Sequence, residues 1–169
     1  MFQVGDKILY GCNGACTIEE LSLMRFGRTR EEYYVLRPMY QKAAVIYVPA
    51  KNETLLRQMR LMPSQEEVDQ MISDVPDSEP IWIDDAQERK IHYDQIMRSS
   101  DCFARLRLIK TLHEHKKLRL SEGKNLHVSD ENFLREAKKL ICDEFAYPLQ
   151  LQPADVGEYV NSRLDFVML

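Results

Sequence analysis

Histidine, cysteine and acidic side chains are the groups that catalysis or metal binding would use, and this chain offers few of them at working spacings. His113-Glu114-His115 is the only close histidine pair, and on a helix residues two apart point to different faces, so the two imidazoles are poorly placed to share an ion. His92 and His127 have no cysteine or carboxylate partner at ligand spacing. Cys12 and Cys16 form a C-x-x-x-C pair, but no second short-spaced pair follows, and a structural zinc site takes four ligands. With Cys102 and Cys142 they make four cysteines in 169 residues, too scattered for a secreted disulfide scaffold, so reduced thiols are expected. Nucleophile-elbow, H-E-x-x-H, G-x-G-x-x-G and phosphate-loop patterns are all absent, which argues against an enzyme and against a cofactor.

What remains is the chemistry of stacking and of charge. Trp82 is the single tryptophan; such a ring either packs one segment on another through its large apolar area or stacks on a nucleic-acid base irrespective of sequence. The net charge is −4, but its distribution is uneven. Residues 61–88 carry nine acidic groups and no basic one, whereas residues 89–124 carry ten basic and four acidic. A local positive field governs phosphate attraction more than the total does. Arg89, Lys90, Arg98, Arg105, Arg107, Lys110, Lys116, Lys117, Arg119 and Lys124 are therefore the phosphate candidates. Asp84 and Asp85 sit beside Trp82, where carboxylates would repel a phosphate.

The elements that must position these groups fall into two kinds. Through the first 60 residues, short β-branched and aromatic runs alternate with turn residues: Phe2–Tyr10 with a bend at Gly5-Asp6, a hairpin turn at Gly11 and Asn13-Gly14, then Ala15–Leu21, Glu32–Arg37 and Lys42–Val48, closed by Pro49. Four or five short antiparallel strands of this kind make a half-open barrel, whose edges accept another chain's strand.

Helical signals follow. Ser64-Gln65-Glu66-Glu67 is a capping box opening a helix over about 64–74, and the proline- and acid-rich stretch 74–80 reads as a linker. A helix over 84–98 is expected to carry Ala86, Lys90, Tyr93 and Met97 on one stripe. The next, after a fresh N-cap at 99–101, has Phe103, Leu106, Ile109, Lys110 and Leu112 inward, with Arg105, Lys116 and Lys117 outside. Residues 119–126 read as a loop, and Ser129-Asp130-Glu131-Asn132 as a cap for a helix buried through Phe133, Leu134, Ala137, Leu140, Ile141 and Phe145. A last helix starts near Pro153 and buries Val156, Tyr159, Val160 and Leu164. The fold class is thus α+β, a small antiparallel β domain followed by an all-α bundle of about four helices.

These residues resemble the CarD-like (CarD/CdnL) bacterial transcription regulators. Phe2-Gln3-Val4-Gly5-Asp6-Lys7-Ile8-Leu9-Tyr10, Asn13-Gly14, Tyr33-Tyr34-Val35-Leu36 and Val48-Pro49 are similar to that family's N-terminal domain. Trp82, Tyr93–Asp101, Leu108–Leu112 and Ser129–Leu134 are similar to its helical domain. The resemblance implies a Tudor/SH3-like barrel over 1–62 that docks on the β subunit of bacterial RNA polymerase, with Met24, Arg25, Arg37, Val45 and Tyr47 at the contact. It further implies a linking segment over 63–80 and a helical domain over 81–169 that touches promoter DNA just upstream of the transcription bubble. Trp82 then wedges at the fork and stabilises the open complex. The expected partners are RNA polymerase and promoter DNA, largely without sequence preference; a cytoplasmic, nucleoid-associated monomer is expected, with no membrane contact. The other reading from the residues is a protein–protein adaptor whose barrel binds a strand and whose bundle never meets DNA.

Overall fold

The computed structural model describes residues 2–41 and 43–169; Met1 and Lys42, the latter expected to start the fourth strand, lie outside the described residues. Among the described residues two compact units are present, those up to 62 with 98–100 and residues 63–97 with 101–169.

In the first unit, five antiparallel strands, β1 (Lys7–Tyr10), β2 (Ala15–Phe26), β3 (Thr29–Pro38), β4 (Ile46–Pro49) and β5 (Met59–Leu61), pair in the order β4-β3-β2-β1-β5. A short helix, α1 (Glu53–Leu56), precedes β5. Ile8, Tyr10, Cys16, Ile18, Tyr34, Leu36, Val48 and Met59 form the buried core. The expected tight hairpin after β1 is a 3-10 turn, Gly11–Asn13. Gly11 and Gly14 both take positive φ there, a conformation that costs glycine nothing. β4 is shorter than expected because a turn intervenes, the Ala44 N–H donating to the Gln41 carbonyl. It includes Pro49, which is tolerated because β4 is an edge strand.

β2 runs five residues past its expected end, because Leu21–Phe26 pairs with β3 around the turn at Gly27. A bulge between Ile18 and Glu20 shifts the register, and one extra residue swaps which side chains face which way. Cys16 and Ile18 therefore face the core before the bulge, while after it Met24 and Phe26 share the face of Tyr33 and Tyr47. β1 pairs with β2 only at Ala15–Thr17, and Ile18 is the last β2 residue bonded on that side, to Gly5 and Asp6. From Glu20 onward no described strand pairs with β2 on the side away from β3.

In the second unit, α2 (Gln65–Asp74), α3 (Ala86–Arg98), α4 (Cys102–Ser121), α5 (Val128–Ala146) and α6 (Pro153–Asn161) follow in order, with α5 packed on α4 and on α6. The capping box at α2 is complete: Ser64 Oγ accepts the Glu67 N–H and a Glu67 carboxylate oxygen accepts the Ser64 N–H. Asp101 caps α4 by accepting the Ala104 N–H at 3.0 Å. The α5 face is buried as its spacing predicts.

Five helical expectations are corrected. On α3 the buried row is Arg89, Tyr93, Ile96 and Met97, while Ala86 and Lys90 are exposed. Arg105 lies inside, fully buried, because Glu144 of α5 neutralises it there. Residues 119–121 continue α4, and the loop begins only at Glu122. α5 begins at Val128 with His127 in the cap position, so Ser129 is already helical and Asp130 is turned inward. At the C-terminal end, Leu164 lies past the last turn of α6 and is only half-buried, as is Tyr159.

Candidate protein and nucleic-acid interfaces

Among the residues expected to meet a protein partner, Met24 and Tyr47 lie on one face of the β2-β3-β4 arm. Tyr47 is opposite Val35 in the register, and Met24 is opposite Glu31. Phe26 joins them: its ring is 4.9 Å from Tyr33 and 5.9 Å from Tyr47. Sequence reasoning misses this three-ring group, because the bulge that aligns it leaves no mark in the residue pattern. Arg25 is exposed at the hairpin tip and donates to the Gly27 carbonyl. Val45 precedes β4 and is half-buried. Arg37 is tied across the sheet to Glu19 at 2.7 Å; that hydrogen bond, with the guanidinium charge, holds the Glu19 carboxyl below its ordinary range.

Within the second unit, the segment leading to Trp82 is strapped to α4. Lys110 Nζ donates to the carbonyls of Pro76 and Ser78, each at 2.7 Å. Arg107 donates to the Glu79 carbonyl, and Thr111 Oγ1 accepts the Ile81 N–H at 3.1 Å. Two of the phosphate candidates, Arg107 and Lys110, thus serve as internal fasteners of the expected linker.

Trp82 itself is half-buried. Its ring stacks on His115 with centroids 3.5 Å apart and planes 19° apart, and the Arg89 guanidinium lies 4.1 Å from its centroid. Two groups that close cannot share one face of an indole, so both faces are covered. The indole N–H donates to Asp84 at 2.9 Å. Asp85 accepts the N–H groups of Gln87 and Glu88 at the start of α3, where a carboxylate also suits the helix dipole. The two acids whose charge opposes phosphate binding are thus engaged in orienting the ring and capping a helix. A shallow groove of about 290 Å³ runs beside the ring, lined by Pro80, Trp82, Thr111, Glu114, His115 and Leu118.

Arg89 is 3% exposed and bidentate to Asp130, at 3.0 and 3.1 Å, and it also donates to the carbonyls of Ile83 and Asp84. Arg105 is buried against Glu144 and donates to the Met97 carbonyl. Burial places both guanidiniums out of reach of a phosphate, so neither is a phosphate ligand. Lys90, Arg98 and Lys117 are exposed. Lys116 is paired with Glu131 at 2.6 Å, Lys124 with Glu122 at 3.7 Å, and Arg119 donates to the Asn125 carbonyl. His113 faces away from His115 and binds the Met168 carbonyl through Nε2 at 2.8 Å. Cys16 is buried in the β core and Cys12 is exposed, and no cluster of three potential metal ligands occurs among the described residues. No described helix is long and apolar enough to cross a membrane.

Residues 2–60 match the family model of the CarD-like/TRCF RID domain, about a third of the chain and nearly all of its β unit. That family comprises RNA polymerase-interacting, transcription-related proteins. No curated protein matches the chain.

Proposed function

We propose, from a β unit whose residues 2–60 match the CarD-like/TRCF RID domain, that the protein regulates transcription by docking on the β subunit of RNA polymerase and contacting promoter DNA at the upstream edge of the bubble. The observation that carries this reading is the coincidence of that domain match with a five-stranded unit whose β2 edge is open from Glu20 onward. Such an edge takes another chain's strand through main-chain hydrogen bonds, with side chains on alternate faces giving specificity. Residues 1–62 act as the polymerase-binding part, with Met24, Arg25, Arg37, Val45 and Tyr47 at or near the contact and Phe26 and Tyr33 added to it. Residues 63–80 lead to the ring, and 81–169 meet DNA through Trp82, the exposed cations Lys90, Arg98, Lys117 and Lys124, and the half-buried Lys116 and Arg119. The protein needs no cofactor for this and works as a monomer.

The ring adds no chemistry. It favours the melted state only by interacting with it better than with closed duplex. The decisive experiment is co-elution of the purified protein with RNA polymerase and with its isolated β-subunit lobe; failure to bind either would remove the proposal. In addition, Trp82→Ala is expected to shorten open-complex lifetime while polymerase binding stays as it was.

One observation favours a protein–protein adaptor instead: seven of the ten cations in the basic block, Arg89, Arg105, Arg107, Lys110, Lys116, Arg119 and Lys124, bond to the protein's own groups. Fork-DNA crosslinking in the presence of polymerase separates the two readings, since an adaptor would give none.

A further inference from the structure

Trp82 has every polar and stacking valence of its indole satisfied inside its own unit. The His115 imidazole lies against the ring, the Arg89 guanidinium is 4.1 Å from its centroid, and Asp84 holds the N–H. Arg89 cannot swing aside easily, because Asp130 grips it from α5 and two backbone carbonyls fix its third nitrogen. The backbone just before the ring is likewise pinned through Thr111 and Lys110. A ring held on both faces and at its nitrogen has little rotamer freedom left.

We propose that His115 and Asp84, backed by Arg89 and Asp130, are positioning residues that clamp Trp82, so that it meets the fork as a rigid obstacle and offers no open face for a base to stack on. This rests on the proposed function for its DNA consequence, though the clamp itself does not. A base that stacked on the ring would first have to displace either His115 or Arg89. The wedge therefore works by occupying space that re-pairing strands need, and its effect should not depend on which base stands at the fork. A loose ring would lose the entropy advantage that pre-organisation gives.

Because Trp82 is the only tryptophan, fluorescence of the free protein excited at the red edge of indole absorption, where the eight tyrosines do not absorb, reports on it alone. Removing Arg89 would strand Asp130 in the interior, so the variants are His115→Ala, His115→Phe, Asp84→Ala and Trp82→Ala, each checked for unchanged helical content by circular dichroism. With the clamp opened, His115→Ala red-shifts the emission and raises acrylamide quenching, and open-complex lifetime falls roughly fivefold, equivalent to about 1 kcal/mol. His115→Phe, which keeps a ring against the indole, retains wild-type emission and lifetime. Asp84→Ala shifts the emission in the same sense as His115→Ala. Wild-type emission and quenching in both alanine variants would overturn the clamp. So would a loosened ring in His115→Ala with unchanged open-complex lifetime, provided that Trp82→Ala shortens it. Should Trp82→Ala itself leave the lifetime unchanged, the DNA role of the ring fails, and the fluorescence alone decides the clamp.

Discussion

Arg105 of α4 and Glu144 of α5 face each other fully buried, a charge pair sealed inside the helical unit. Burial pushes the Glu144 carboxyl up and the Arg105 charge opposes that; Cys102 donates to the same carboxylate from 3.4 Å, and its own thiol is raised by burial. Deleting one partner leaves an uncompensated charge in a low-dielectric interior. Arg105→Met or Glu144→Leu alone is expected to cost about 3–5 kcal/mol in chemical denaturation. The double variant should recover most of that loss, and a double as unstable as the two singles combined would show that the pair has no coupling.

Surface cations should behave differently from buried ones. Lys116→Ala with Lys117→Ala is expected to leave stability within about 0.5 kcal/mol and to lower the salt slope of DNA binding by about one for each phosphate that the removed cations had neutralised. An unchanged slope would move the DNA face off α4. Lys110→Met, by contrast, removes the fastener of the Pro76 and Ser78 carbonyls, so it should reduce stability rather than the slope.

Acidification should weaken the fold through two histidines. His113 and His115 both protonate less readily than an ordinary histidine, burial being the first cause in each, with Lys138 next for His113 and Arg89 next for His115. A base whose folded value lies below its unfolded 6.5 binds fewer protons folded than unfolded between the two values. Stability is therefore full above that range and falls as the pH drops through it. The Glu144 and Asp143 carboxyls, raised by burial, act in the opposite sense. The clean measurement is thus the stability of the wild type minus that of His115→Phe between about pH 5 and 7.5, a difference that should shrink on acidification.

Ser64→Ala breaks both halves of the capping box, because the hydroxyl holds the Glu67 N–H and the Glu67 carboxylate needs that geometry to reach back. A loss of about 1 kcal/mol is expected by denaturation. Glu67→Gln, which keeps an acceptor at the third helical position, should lose less.

The first four strands, the α2 cap and the α5 face are legible in the sequence because each rests on residues within one turn or one hairpin of each other, whereas β5 escapes it because its partner β1 lies about fifty residues away. The inward charges are not, for a reason of distance: Asp130 is 41 residues from Arg89 and Glu144 is 39 from Arg105, so neither partner falls within a helical window. Isolated cations read as surface, and Asp130 reads as part of a cap. His115 suggests only a metal ligand, because its stack on Trp82 spans two elements that no periodicity connects. At the β unit, the bulge after Ile18 hides which of Met24, Arg25 and Phe26 share a face with Tyr47.

The β2–β3 arm carries a liability of its own. An open strand edge recruits a second copy of the same chain as readily as a cognate strand, and free protein meets its own copies first. Seven of the fourteen residues from Glu19 to Glu32 are charged, and Arg25 lies opposite Arg30 at the tip. Parallel, in-register stacking of two such arms edge to edge would set like charges opposite each other. This guards the monomer and also filters what joins it: a strand that pairs there must bring complementary charge, or the edge stays open.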